Sequence, residues 1–284
     1  MRRSAPRLVS VCIPSLNTRA TLAEQLDALA AQDYAGEWEI VLLDNGSTDG
    51  SDDLARQRGV RVERVERRGI SNVRNAALTV ARGDLLAFCD ADDIVVPGWL
   101  TALVAAAHDD DVVGGRLDQH TLNPPHVVTW RGHIPDDALM VPMGYLPFAP
   151  GCNFAVWRDV VESLGGWDTA YVGGSEDVDF CWRAQKSGYT VGFAPDAVVA
   201  YRYRPDTRSL YRQFFHYGRT EALLQKTFPL PRRSVADVLR VWAGLLRRAP
   251  ALRRADDDRV VLLRECAYHA GRLWGSVQVR TVLP

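Results

Sequence analysis

Two rhythms of apolar and polar positions alternate over the first 115 residues. Leu8 to Ile13 is an unbroken apolar run closed by Pro14, the pattern of a strand buried on both faces. Leu22, Leu26 and Leu29 then recur at helical spacing within Thr21 to Ala31. Trp38 to Leu43 reads as a second buried strand, ending at Asp44. Asp52 to Arg58 reads as a helix, Val60 to Val65 alternates as a strand, and Asn72 to Ala81 is a helix stopped at Arg82-Gly83. Asp84 to Phe88 is a strand, Gly98 to His108 a helix and Val112 to Gly115 a short strand. From His120 to Pro150 the prolines at 124, 125, 135, 142, 147 and 150 predict one long irregular loop. A strand over Gly151 to Trp157, a helix over Glu176 to Lys186 and a strand over Val198 to Tyr203 follow. The remainder is helical in pattern: Ser209 to Lys226, Val235 to Arg248 and Arg259 to Trp274, with Pro229 and Pro231 after the first.

Strands alternating with helices predict an α/β fold with a mostly parallel, Rossmann-like sheet. In such sheets ligands bind beyond the carboxyl ends of the strands. Three polar segments fall there: Pro14 to Asn17, Asp44 to Asp49 and Asp90 to Asp93. The last is the most pointed, because the apolar run Leu85 to Phe88 breaks into three carboxylates, which are costly to bury uncompensated. Strand alternation would set Asp90 and Asp92 on one face, where they could share a hard divalent cation, Mg2+ or Mn2+. The plain alternative is a solvated turn whose acids cap the next helix.

Charge and cysteine content narrow the classes. The 284 residues carry 34 Lys and Arg against 35 Asp and Glu, so no global field selects nucleic acid. The five cysteines form no CxxC pair, which predicts reduced thiols in a cytoplasmic protein and no disulfide frame or zinc site. No apolar run approaches the roughly 18 residues of a membrane span, and basic Met1 to Arg7 leads into too short an apolar run for a signal peptide. No GxGxxG follows a strand, which disfavours a dinucleotide oxidoreductase. A nucleotidyltransferase would want a Gly-rich, Arg-containing loop where Pro14-Ser15-Leu16-Asn17 stands.

Six segments in order carry a resemblance: Val11 to Asn17, Leu43 to Ser51, Gly69 to Ala76, Cys89 to Asp93, Gly165-Gly166-Trp167-Asp168, and Gly174 to Asp179. Together they resemble the family 2 glycosyltransferases, with the GT-A fold, over residues 8 to about 220. The resemblance implies an inverting, metal-dependent enzyme. It would move a single hexosyl or deoxyhexosyl group from a UDP-, dTDP- or GDP-sugar to a hydroxyl of a glycan, a lipid-linked acceptor or a small natural product. By it, Pro14, Ser15, Leu16, Asn17, Asp44 and Asn45 line the donor's base pocket, and Arg74 contacts the nucleotide and its phosphates. Asp90, Ala91 and Asp92 match the DxD element, with Asp92 and Asp90 as metal ligands and Asp93 in support. Asp177 is the general base; Glu176, Trp167 and Gly174 lie on the acceptor side. Read without the resemblance, the acids at 44 to 49 and 176 to 179 are ordinary turn and first-turn helix residues.

The chain departs from the family pattern in three places. Val199 to Tyr203 contains no His, the nearest following one being His216; Asn45 stands where a second Asp is common; and Gln213-Phe214-Phe215-His216-Tyr217 replaces the Gln-x-x-Arg-Trp of processive synthases. The expected organisation is a transferase domain over 1–228, its donor half about 1–115 and its acceptor half about 116–228, followed by a helical extension over 229–284. That extension carries Arg232, Arg233, Arg240, Arg247, Arg248, Arg253 and Arg254 beside Trp242, Leu245 and Leu246. It suits a solvated face, a homodimer contact, or peripheral contact with the inner face of a membrane. The competing functional reading is a non-catalytic GT-A module that binds a sugar nucleotide or a partner; Asp90, Asp92 and Asp177 speak against it.

Overall fold

The computed structural model describes residues 2–231, 234–254 and 256–280; Arg232 and Arg233 of the basic extension lie outside the described residues. The chain forms two compact units. The first comprises residues 1–121, 134–169 and 176–202; the second comprises 122–133, 170–175 and 203–284. Residue 228, the expected domain boundary, falls inside the second.

The first unit is built on one eight-stranded sheet. In chain order its elements are β1 (Val9–Ser15), α1 (Arg19–Ala30), β2 (Trp38–Asp44), α2 (Ser51–Gln57), β3 (Arg61–Arg64), α3 (Ile70–Val80), β4 (Leu85–Cys89), β5 (Ile94–Val95), α4 (Trp99–Ala106) and β6 (Val112–Asp118). The second unit contributes α5 (Pro125–Arg131) at this point in the chain, and the first resumes with β7 (Asn153–Trp157), α6 (Arg158–Ser163), α7 (Glu176–Lys186) and β8 (Val191–Ala200). The sheet order is β3-β2-β1-β4-β7-β6-β8-β5. Its first four strands, β3-β2-β1-β4, are wholly parallel, as the alternating pattern predicts. Beyond β4 the sheet is mixed: β7 runs antiparallel to both β4 and β6, β6 pairs parallel with β8, and β5 runs antiparallel to β8.

Several elements differ from their expected extents. The segment from His120 to Pro150 is not one loop, since Pro124 and Pro125 open α5, with Pro125 in the first turn where no backbone N–H is needed. Within it, Met140 also bridges Phe148. The last strand begins at Val191, seven residues before the apolar run at Val198, because Pro195 and Asp196 are exposed at a register shift opposite Gly115 and Arg116. Buried Asn153 clamps that irregularity: its Nδ2 donates to the carbonyls of Arg116 and Ala197 at 2.9 and 2.8 Å, and its Oδ1 accepts from the Trp99 indole at 2.9 Å. Phe88, Phe154, Trp167 and Phe180 form one aromatic cluster of the core, with Trp167 stacked on Phe180 at 4.5 Å and 18°. Acids in the first turn of α7 and Arg183 and Lys186 in its last turn complement the helix dipole.

The second unit is helical. After α5 it contains α8 (Thr207–Thr227), α9 (Val235–Arg247) and α10 (Asp257–Val279). The α8–α10 crossing is close, since a Cβ on Gly218 would lie 2.0 Å from the Tyr268 carbonyl oxygen and one on Gly271 would lie 2.0 Å from that of Phe215. Among the described residues, no helix is long and apolar enough to cross a membrane.

Candidate active site

The parallel half of the sheet fixes the first two polar segments side by side. Ser15 and Asp44 are register partners at the ends of β1 and β2, and the Asn45 N–H donates to the Ser15 carbonyl at 2.8 Å. The loops beyond them are laced together. Asn17, at φ 55°, accepts from the Thr48 N–H through Oδ1 at 2.8 Å, and its own N–H donates to Ser47 Oγ at 2.9 Å. Asp44 is buried; its carboxylate accepts from the N–H groups of Gly46 and Ser47 at 3.2 and 3.0 Å. It therefore holds the turn and retains lone pairs for another donor. Asn45 braces the same turn from inside the protein. Its Nδ2 donates to the Val65 and Arg67 carbonyls at 2.8 and 2.9 Å, and its Oδ1 accepts from the Gly69 N–H at 3.0 Å, so both amide donors are engaged inside the protein. Pro14 is half-buried, Ser15 buried and Leu16 exposed.

The third polar segment lies in a turn. Strand β4 ends at Cys89, so Asp90 and Asp92 do not alternate as strand residues, and the expectation that strand geometry aligns them is corrected. Convergence instead involves Asp90, Asp93 and Cys152, each with one candidate ligand atom within 4.8 Å of the others. Ala91 is buried and Asp92 half-buried. The turn is held by buried Gln25, which donates to the Asp90 carbonyl and accepts from the Val95 N–H, both at 3.0 Å. Arg202 holds its other side: its N–H donates to Asp93 Oδ1 at 2.7 Å and its Nε to the Asp92 carbonyl at 2.8 Å. Asp93 Oδ2 is buried without a hydrogen-bond partner. Burial, then the Asp90 and Asp92 charges, push its carboxyl well above the usual range. Such crowded carboxylates suit a hard divalent cation. The Cys152 thiol does not, because burial and the same carboxylates keep it protonated.

Arg74 and Glu176 form a buried ion pair, with Arg74 Nη1 to Glu176 Oε1 at 2.6 Å and side-chain exposures of 4% and 7%. Arg74 Nε and Glu176 Oε2 are buried with no partner. Burial alone would lower the guanidinium pKa; Glu176, Asp177 and Asp90 together raise it. Gly151 lies directly over this arginine, and a Cβ there would sit 2.0 Å from Nη2. The Gly151 N–H donates to Asp177 Oδ2 at 2.9 Å, and the Val178 N–H to Oδ1 at 2.9 Å. Asp177 is half-buried, and its carboxyl is pushed up to about 6, by desolvation first and by Glu176 second, against the lowering pull of Arg74. One buried arginine is thus electrostatically joined to Glu176, Asp177 and Asp90.

Residues 10–165 match Glycosyl transferase family 2, more than half of the chain. The chain belongs to that family. Among curated relatives, glycosyltransferase AglE of Haloferax volcanii is 28% identical over 252 residues, covering 85% of this chain and 82% of that protein. The PGL/p-HBAD biosynthesis glycosyltransferase of Mycobacterium bovis is 28% identical over 269 residues, covering 88% and 96%. The chain spans about half the length of others, such as the probable glycosyltransferase YdaM of Bacillus subtilis, 51% of which is covered at 23% identity. Among solved structures, the mannosyltransferase PcManGT of Pyrobaculum calidifontis, in complex with GDP-Man and Mn2+, superposes with a TM-score of 0.67 at 22% identity, over 95% of this chain and 88% of that one. Glucosyl-3-phosphoglycerate synthase of Mycobacterium tuberculosis, in complex with Mn2+, UDP and glucosyl-3-phosphoglycerate, gives 0.57 at 23% identity, over 79% and 81%. These likenesses show the GT-A fold.

The family 2 match ends at residue 165, before α7, so Glu176 and Asp177 lie outside the matched span. Within it, Asp44 closes β2 and Asp90 follows β4, the two strands that flank β1, and Arg74 lies on α3. Two of the acceptor-side candidates lie as follows. Trp167 is a core residue, 2% exposed, turned inward after Gly165 and Gly166 at φ 71° and 81°. Its backbone N–H donates to Asn75 Oδ1 and its carbonyl accepts from Asn75 Nδ2, both at 2.8 Å. Gly174 belongs to the second unit, at φ 142°, where a Cβ would lie 2.7 Å from Tyr217 Cδ1. His216 is also in the second unit, and burial lowers its pKa. Sequence reasoning missed Gln25, Gly151, Cys152 and Arg202. None bears a chemical motif, although Gly151 stands out as a glycine two residues before the apolar strand β7.

Proposed function

We propose that this family 2 member transfers a single sugar from a nucleoside diphosphate sugar to a hydroxyl acceptor, with inversion at the anomeric carbon and Asp177 as general base. One observation carries the proposal: Asp177 is a half-buried carboxyl raised to about 6, anchored by two backbone N–H groups and electrostatically joined through Arg74 to Asp90 of the acidic turn. A base with a pKa near the working pH is both deprotonated and basic enough to accept a hydroxyl proton. As the acceptor oxygen bonds to the anomeric carbon, the bond from that carbon to the diphosphate oxygen breaks. Its electron pair leaves with the nucleoside diphosphate, and the hydroxyl proton passes to Asp177.

Asp92 and Asp90 would hold Mg2+ or Mn2+, with Asp93 behind them held by the Arg202 N–H. When bound, the cation supplies charge neutralisation to the departing diphosphate. Asp44 offers remaining acceptor capacity to a base N–H. The neighbours crystallised with GDP-Man or UDP and Mn2+ support a nucleoside diphosphate sugar as donor. In this reading residues 1–228 carry the transfer chemistry and 229–284 extend it.

The test is release of nucleoside diphosphate from UDP-, dTDP- and GDP-sugars with and without Mn2+, paired with thermal shift by the diphosphates. Asp177→Asn should keep the metal-dependent thermal shift and lose at least about 100-fold in turnover. Full turnover in Asp177→Asn removes the base assignment. The absence of a shift with every diphosphate removes the donor site.

A further inference from the structure

Charge is divided unequally between the units. The second unit carries 17 Lys and Arg against 7 Asp and Glu, within a chain that has 34 against 35 overall. Large exposed apolar residues concentrate in the same unit: Val235, Leu239, Leu246, Leu252, Trp274 and Val277.

On α9 the pattern is ordered. Val235, Leu239, Trp242 and Leu246 follow spacings of four, three and four, which places them within about 60° of arc on one helix face. Leu239 and Leu246 are 64% and 70% exposed. The inward stripe runs through half-buried Val238 and Val241 to buried Leu245, and half-buried Trp242 meets the His269 ring of α10 where the two stripes adjoin. The apolar surface of α9 is therefore wider than the helix uses for packing. Ser234 and Asp237 close a capping box that fixes where the helix starts. Arg247 and Arg253 are exposed and make no ion pair among the described residues, whereas Arg240 and Arg254 pair with Asp237 and Asp258.

We propose that the exposed face of α9, with the flanking arginines, lies in the interface of an anionic phospholipid bilayer. An exposed apolar stripe bordered by guanidinium groups on a strongly basic unit matches that surface in both polarity and charge. Arginine stems sink along apolar surface while their heads stay at the phosphates. A second copy of this chain is the poorer occupant, because like-charged faces of this kind repel. The inference does not depend on the transferase reading, and its failure would leave that reading intact.

The experiment is vesicle co-sedimentation of the full chain with phosphatidylcholine alone and with an equimolar phosphatidylcholine–phosphatidylglycerol mixture, at low and high salt. The parent should pellet with anionic vesicles and be released by salt. Leu239→Gln/Leu246→Gln, at two exposed positions, should keep the parent's melting curve and lose at least about tenfold in partitioning. Arg247→Gln/Arg253→Gln should lose about tenfold or more toward anionic vesicles only. Parent protein that stays in the supernatant, either double variant pelleting like the parent, or a parent dimer by light scattering that the leucine variant dissociates without any vesicle binding would each overturn the proposal.

Discussion

Glu176→Gln tests the electrostatic core of the site, because it removes one charge and almost no volume. At 2.6 Å and an effective dielectric constant near 20, the attraction to Arg74 is about 6 kcal/mol. Asp177 and Asp90 still face the guanidinium, so part of that attraction is replaced when Glu176 becomes neutral. Leaving one partner of a buried pair behind typically costs about 3–5 kcal/mol. The glutamine Oε1 can still accept from Nη1, which recovers about 1 kcal/mol. The expected loss is therefore about 2–3 kcal/mol, read as a lower denaturation midpoint at pH 7. The same substitution acts on Asp177 in a definite direction. Glu176 is the second cause raising that carboxyl and Arg74 the main force lowering it, so neutralising Glu176 moves Asp177 from about 6 towards the ordinary carboxylate range. A base must be deprotonated, so turnover falls as pH drops through its pKa. The acid limb of kcat/KM should lie near pH 6 in the parent and at lower pH in Glu176→Gln. An acid limb that stays in place or moves up would refute the coupling between the ion pair and the base. A stability loss under about 1 kcal/mol would refute the energetic weight given to the pair.

Three further outcomes follow from neighbouring contacts. Gly151→Ala drives a Cβ against the buried Arg74 guanidinium and should cost about 2–3 kcal/mol by chemical denaturation, with reduced turnover. Asp177→Asn should gain stability relative to the parent as pH rises from about 4 to about 6: a carboxyl whose folded pKa is raised favours the protonated native state, and the parent loses that contribution on ionising. The displacement from 3.8 to about 6 bounds the effect at about 3 kcal/mol; partial exposure and the lost N–H bond reduce it to about 1–2 kcal/mol at pH 7 in paired melts. Asn45→Ala abandons three side-chain hydrogen bonds around a buried turn, and should lower stability by about 2–4 kcal/mol and weaken nucleoside diphosphate binding in the same thermal-shift assay.

What the sequence reveals, and what it hides, follows from whether a property belongs to one segment or to a pair. Burial on both faces belongs to one segment, so Val9–Ser15, Trp38–Asp44 and Leu85–Cys89 are visible as apolar runs, and the acids that close the second and follow the third are visible as breaks. Strand direction belongs to a pair. Asn153–Trp157 is as fully buried as any parallel strand, and only its register against Leu85–Cys89 shows that it runs antiparallel. That reversal has a chemical consequence: an antiparallel β7 begins where β4 ends, Asn153 opposite Cys89, and so carries Gly151 and Cys152 to the acidic turn. Neither residue is conspicuous alone. The same distinction explains Trp167, whose motif suggests an acceptor contact until its stacking on Phe180 is seen. It also explains Arg74, whose guanidinium suits a phosphate in isolation but is held by Glu176 in the fold. The position of each carboxylate was legible because it interrupts a local pattern. Its tuning was not, because the 2.6 Å contact that sets the charge around Asp177 joins positions 102 residues apart.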